Sequence, residues 1–143
     1  MMYYKNLLLI DDDEDDHEFF LEAVREIDMS LKCNCVFDGE KALNELKDGE
    51  AALPDLIILD TNMPKLNGKQ ILSELKNDTH LKHIPVIMYS TSFSERDNVD
   101  FTRLGAAYYL PKPSKFLDFK SSLTHILKTD WSIIVTESRE EKQ

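Results

Sequence analysis

Two runs of four consecutive apolar residues, Leu7-Leu8-Leu9-Ile10 and Leu56-Ile57-Ile58-Leu59, each stop at an aspartate. A short β-rich run bounded by turn residues reads as a strand buried on both faces, which belongs in a parallel sheet covered by helices. Pro54-Asp55 precedes the second run and Thr61-Asn62-Met63-Pro64 follows it, so Asp60 falls where a strand stops and a loop begins. In open parallel sheets, ligands bind at the carboxyl ends of the strands. The first run ends the same way, in Asp11-Asp12-Asp13. Two buried strands that each deliver carboxylates at that end make an oxygen-rich pocket suited to a hard divalent cation.

The rest of the chain repeats this alternation. Strands are expected over 6–10, 32–37, 56–60, 85–90 and 107–110. Between them lie helical patterns over 15–27, with Phe20, Ala23, Val24 and Ile27 on one stripe, and 40–47, with Ala42, Leu43 and Leu46. A third helix after Asn67-Gly68 turns Ile71, Leu72 and Leu75 inward, and a weaker one over 94–103 has Val99 and Leu104 as its main apolar anchors. A last helix carries Phe116, Phe119, Leu123, Ile126 and Leu127. Five β-α units with short joints imply an α/β fold, a five-stranded parallel sheet with helices on both faces. Right-handed crossovers favour the strand order 2-1-3-4-5, with strands one and three adjacent at the switch point.

At 143 residues the chain is about one domain. The formal net charge is -10, and seven of the 27 acids lie between Asp11 and Glu18. That balance excludes a phosphate-backbone partner, because no basic face is present to displace counterions. No apolar span approaches membrane length, and no leader pattern opens the chain, so a cytoplasmic location is expected. Cys33 and Cys35 share one face of a strand, read here as reduced, half-buried thiols. After about Lys128 the chain turns polar and charged apart from Trp131 and Ile133-Ile134-Val135. We therefore expect one domain over 5–128 and an extension or tail over 129–143.

Strands one, three, four and five end in Asp11-Asp12, Asp60, Ser90 and Lys112. Phosphoryl transfer needs an in-line nucleophile and positive charge spread around the equatorial oxygens. A carboxylate meets the first need, and a metal, an ammonium and a hydroxyl donor meet the second. The constellation reads as an aspartate that accepts a phosphoryl group.

The motifs LLLIDDDEDD, DLIILDTNMPKLNG, PVIMYSTS and GAAYYLPKP, in that order over about residues 5 to 128, resemble those of the receiver domains of two-component response regulators. The fold implied is the flavodoxin-like one of the chemotaxis regulator. The most telling stretch is D-x-x-M-P-x-x-x-G from Asp60 to Gly68. By that resemblance Asp60 is the phosphoacceptor, and Asp12 and Asp60 bind Mg²⁺ directly. Asp11 binds it directly or through water, and the backbone carbonyl of Asn62 completes the protein ligands. Ser90 takes the hydroxyl position that follows the phosphoryl group, and Lys112 pairs with the phosphoryl oxygens. The Lys112–Pro113 bond is expected to be cis, and Tyr109 occupies the aromatic switch position. Two departures stand out: Thr91 replaces a smaller residue beside Ser90, and Pro111 removes a ladder donor before Lys112.

The plainer readings assign Asp13, Glu14, Asp15 and Asp16 to a solvated loop and helix start, and make His17 a surface histidine. An EF-hand fails because Asp16 occupies the turn-glycine position. The function expected is a stand-alone receiver, not an enzyme acting on an external substrate. A histidine kinase or phosphotransfer protein supplies the phosphoryl group, and a downstream protein reads the surface around strand four, the fourth helix and strand five. Dimerisation through the fourth-helix face is left open by the residues. Two competitors are a degenerate, phosphate-independent interaction module and a Mg²⁺-dependent aspartyl-phosphate phosphohydrolase. The latter wants a second acid where this chain has Asn62.

Overall fold

The computed structural model describes residues 2–49, 52–61, 63, 67–91, 94–112 and 114–132. Five strands and five helices alternate along it: β1 (Asn6–Ile10), α1 (Glu14–Ile27), β2 (Lys32–Val36), α2 (Gly39–Asp48), β3 (Leu56–Asp60), α3 (Gly68–Asn77), β4 (Val86–Ser90), α4 (Glu95–Leu104), β5 (Tyr108–Pro111) and α5 (Phe116–Leu127). All four strand pairings are parallel, in the order β2-β1-β3-β4-β5. The expected architecture is the observed one.

Period-two alternation divides the strand residues between two cores. Leu8, Ile10, Ile57, Leu59, Val86, Met88 and Tyr109 face α2, α3 and α4. Leu7, Leu9, Leu56, Ile58, Ile87, Tyr89 and Leu110 face α1 and α5. The continuous apolar runs of β1, β3 and β4 follow from this: every residue meets one core or the other. Burying each such side chain contributes about 1.5–3 kcal/mol before entropy is counted.

Four of the five helices, α1 to α4, start at a polar side-chain cap. The Asp13 side chain accepts from Asp15 N–H, Asp38 from Glu40 and Lys41, and Ser94 from Asp97. Asn67 and Gln70 form a reciprocal capping box at the head of α3. The cap at Ser94 also sets the phase of α4, and here the structure corrects the expected anchors. Phe101 is buried against the sheet, whereas Val99 is 48% exposed. Two positions on a helix are about 200° apart, so both cannot face inward. Leu104, three residues beyond Phe101, packs partly against the same core.

Cys33 and Cys35 are free thiols, half-buried on the α1 side of edge strand β2. Pro111 sits opposite Ser90 on the other edge, and the next residue resumes the ladder, Lys112 N–H donating to Ser90 O at 2.6 Å. By the alternation that brings Ala107 N–H to Val86 O, position 111 faces β4; Pro111 has no donor to give, and Lys112 N–H reaches Ser90 O in its place.

The first residues after α5 are part of the fold. Trp131 is 4% exposed within the α1/α5 core. Its indole N–H donates to Ile126 O at 3.0 Å, its backbone N–H donates to the Tyr4 hydroxyl at 2.9 Å, and its ring lies 5.1 Å from that of Tyr108. Ile133-Ile134-Val135 lie outside the described residues.

Candidate functional site

The alternation that sorts the core also sorts the strand ends. Asp11 continues the series Leu7, Leu9; Asp60 continues Leu56, Ile58; Lys112 continues Tyr108, Leu110. All three therefore emerge on the α1/α5 side of the sheet, although they come from β1, β3 and the end of β5. Lys112 bridges them. Its ammonium donates to Asp11 Oδ2 at 2.9 Å and to Asp16 Oδ2 at 2.7 Å, and stands 3.5 Å from Asp60 Oδ1. Beneath it lies the Tyr89 ring, 4.9 Å from the ammonium to the centroid.

Burial makes these charges interdependent. Asp11 is fully buried, and the loss of solvent raises its pKa even though Lys112 and the Asp13 N–H oppose the shift. Burial works against the charge on Lys112, but its bonds to Asp16 and Asp11 and the field of Asp60 outweigh it, so its pKa is raised. The Tyr89 phenol is pushed well above its ordinary range, first by burial and then by Asp16, Asp11 and Asp60.

One carboxylate oxygen each from Asp11, Asp12 and Asp60 can be chosen so that all lie within 4.8 Å of one another. Asp12 is exposed, so the cluster opens to solvent on that side. A set of oxygen donors with an open side fits a small, hard divalent cation that keeps part of its water shell. Asn62 and the Lys112–Pro113 bond lie outside the described residues.

Ser90 ends β4 with 2% exposure, one position past Tyr89, which pairs with Asp60. Tyr109 points into the α2/α3/α4 core at 8% exposure, its ring 5.8 Å from Phe101. Thr91 is exposed.

Gly68 accounts for the end of the D-x-x-M-P-x-x-x-G stretch. Its N–H donates to Thr61 O at 3.1 Å. A Cβ there would meet Thr61 Cα at 2.9 Å and Asp60 O at 3.0 Å, both backbone atoms that cannot swing aside. The first turn of α3 can lie this close to the end of β3 only without a side chain.

Two residues in this region differ from expectation. Asp16 does more than start a helix in water: it is the nearest anion to Lys112. His17 is no surface histidine either. It is 4% exposed, stacks on Phe37 at 4.1 Å, and its Nε2 bonds the Asp11 carbonyl, which requires the proton on Nε2. The signal for His17 was its place three residues before Phe20 and seven before Val24, on the buried stripe of α1.

The sequence pattern of the response regulator receiver domain matches residues 7–124. The chain belongs to the response regulator receiver family. The phosphorylated cyanobacterial phytochrome response regulator RcpA superposes with a TM-score of 0.79 at 31% identity, over 86% of this chain and 91% of that one. The Mn²⁺-bound form of the response regulator Rcp1 superposes at 0.78 with 30% identity, over 88% and 96%. A third similar protein is the probable methanogenesis regulatory protein FilR2 of Methanothrix harundinacea, 36% identical over 62% of this chain. By sequence the receiver spans 59% of FilR2, and 44% of Rcp1 from Synechocystis. Among the described residues of this receiver, no helix is long and apolar enough to cross a membrane.

Proposed function

We propose that this receiver accepts a phosphoryl group on Asp60 and uses the modification to reshape a protein-binding surface. The convergence of Asp60, Asp11, Asp12 and Lys112 from three separate strand ends carries the reading. A donor histidine of a kinase or phosphotransfer protein brings the group as a phosphoramidate. An Asp60 carboxylate oxygen attacks the phosphorus, the N–P bond breaks as the O–P bond forms, and the released imidazole nitrogen takes up a proton.

Mg²⁺ held by Asp11, Asp12 and Asp60 would neutralise charge on the phosphoryl oxygens; the Mn²⁺ form of Rcp1 supports a divalent ion in this kind of site. The chain's own residues supply the rest. Lys112 would offer its ammonium to the phosphoryl oxygens, and the Ser90 hydroxyl at the end of β4 would donate to one of them. Tyr89 and the fully buried Asp11 limit water on the inner face.

The output begins at Ser90. A shift there acts on β5 through the adjoining ladder, and Tyr109 carries it to α4 through Phe101. The surface of β4, α4 and β5 is thus the one a downstream protein reads.

Acetyl phosphate with Mg²⁺ is expected to add the mass of one phosphoryl group, seen by intact-protein mass spectrometry, and Asp60→Asn to abolish it. Labelling of the Asn variant at the wild-type level would remove Asp60 from the role.

A further inference from the structure

Lys112 has two carboxylate partners at hydrogen-bond distance, and they differ in how readily they can be given up. Asp11 has no exposed side-chain surface, while Asp16, on the first turn of α1, keeps 28%. Leaving a buried carboxylate unpaired is costly, whereas a part-exposed one regains water when its partner leaves. Asp16 is also the closer, at 2.7 Å against 2.9 Å, and both are closer than Asp60 at 3.5 Å. The ammonium therefore rests toward α1, drawn away from the residue on which a phosphoryl group would be built.

We infer that Asp16 is a positioning residue that competes with the phosphoryl group for Lys112: an exchangeable counter-ion that Lys112 releases when Asp60 is modified. This rests on the proposed phosphoacceptor role and adds to it the setting of the threshold. In the unmodified receiver Asp16 occupies one N–H of Lys112. When phosphoryl oxygens arrive beside Asp60, that N–H turns to them and Asp16 swings into solvent, while Asp11 keeps its bond. Asp16 thus lowers the affinity for any phosphoryl group or its mimic, by an amount set by a partly exposed ion pair.

The test is a titration of the full chain with beryllofluoride in saturating Mg²⁺, followed by the ¹⁹F signal of the bound fluoride. Wild type gives a saturable signal and Asp60→Asn gives none; loss of the wild-type signal would defeat the phosphoacceptor reading itself. With that signal present, Asp16→Asn is expected to bind about fivefold tighter, and Asp16→Glu to stay near wild type. Asp15→Asn serves as the control, since it removes an equal charge from the same turn through an exposed side chain. It is expected to change affinity by less than about twofold.

Equal tightening by Asp15→Asn would make the effect a general field, and unchanged or weaker binding by Asp16→Asn would show that Asp16 does not hold Lys112 back. Either overturns the inference. So would a loss of Mg²⁺ affinity in Asp16→Asn without beryllofluoride, because that would place Asp16 among the metal ligands.

Discussion

Lys112 stands 3.5 Å from Asp60 across the tip of β4, so the end of β5 supplies the cation for an acid carried by β3. Lys112→Met leaves Asp11 fully buried without its ammonium. In the absence of divalent ions the variant is expected to lose about 3–5 kcal/mol of stability. Mg²⁺ at roughly a hundred times its dissociation constant adds about 2.7 kcal/mol to whichever form binds it. Thermal melts in EDTA and in Mg²⁺ check both statements, with a larger metal-induced rise expected in the variant. A variant as stable as wild type in EDTA would show that the acids do not depend on Lys112.

Gly68 sits against the backbone of the residues that end β3. Gly68→Ala forces the head of α3 away from Thr61, at a cost of about 1–3 kcal/mol from overpacking. The displacement also moves Asp60, so acceptance of a phosphoryl group from acetyl phosphate is expected to slow in step with the lost stability. Ala at exposed Asn77 or Thr79, beyond the first turns of α3, changes stability by less than about 0.5 kcal/mol. Denaturant melts of the three variants separate the outcomes, and a Gly68→Ala protein no weaker than the other two contradicts the close-approach argument.

Much of the molecule was legible in its residues because β1, β3 and β4 are buried on both sides and so leave unbroken apolar runs. The same runs, counted by twos, carry Asp11, Asp60 and Lys112 to one side of the sheet. What escaped depended on how helices turn against that side. Asp16 and its neighbours are one run of acids in the sequence, and only the direction of the first turn of α1 distinguishes the one that reaches Lys112. Val99 and Phe101 are both apolar, and only the phase set at Ser94 decides between them. Trp131 follows the last apolar helix as an isolated aromatic, and its place is set by Tyr4 and Tyr108, distant in the chain.

Alkaline stability follows from Tyr89. The folded chain holds the phenol proton more tightly than an unfolded chain would, so unfolding releases that proton at pH values above about 10. The Tyr89 contribution is complete below that pH and is lost as pH rises toward the folded-state value. Burial of Tyr4 acts in the same direction. Each such group steepens the decline by at most about 1.4 kcal/mol per pH unit. Tyr89→Phe is expected to flatten the fall in melting temperature between pH 10 and the alkaline limit, with the slope below pH 9 unchanged. A slope unaffected by the substitution would mean that Tyr89 ionises as freely folded as unfolded.

Trp131 joins the segment after α5 to the first residues of the chain. Its indole fills the α1/α5 core, its backbone N–H meets Tyr4, and its ring leans on Tyr108 of β5. Trp131→Ala opens a cavity and is expected to cost about 3–5 kcal/mol, whereas Trp131→Phe keeps most of the packing and loses the bond to Ile126. As the chain has one tryptophan, its fluorescence reports this contact directly: blue-shifted in the native protein and red-shifted on unfolding. Tyr4→Phe removes the acceptor for the Trp131 N–H and costs about 1 kcal/mol, with the emission still blue-shifted. A solvent-like emission from the native wild-type chain, or an Ala variant as stable as wild type, would show that the segment does not dock, and the end of α5 would then lie open along the face that Trp131 covers.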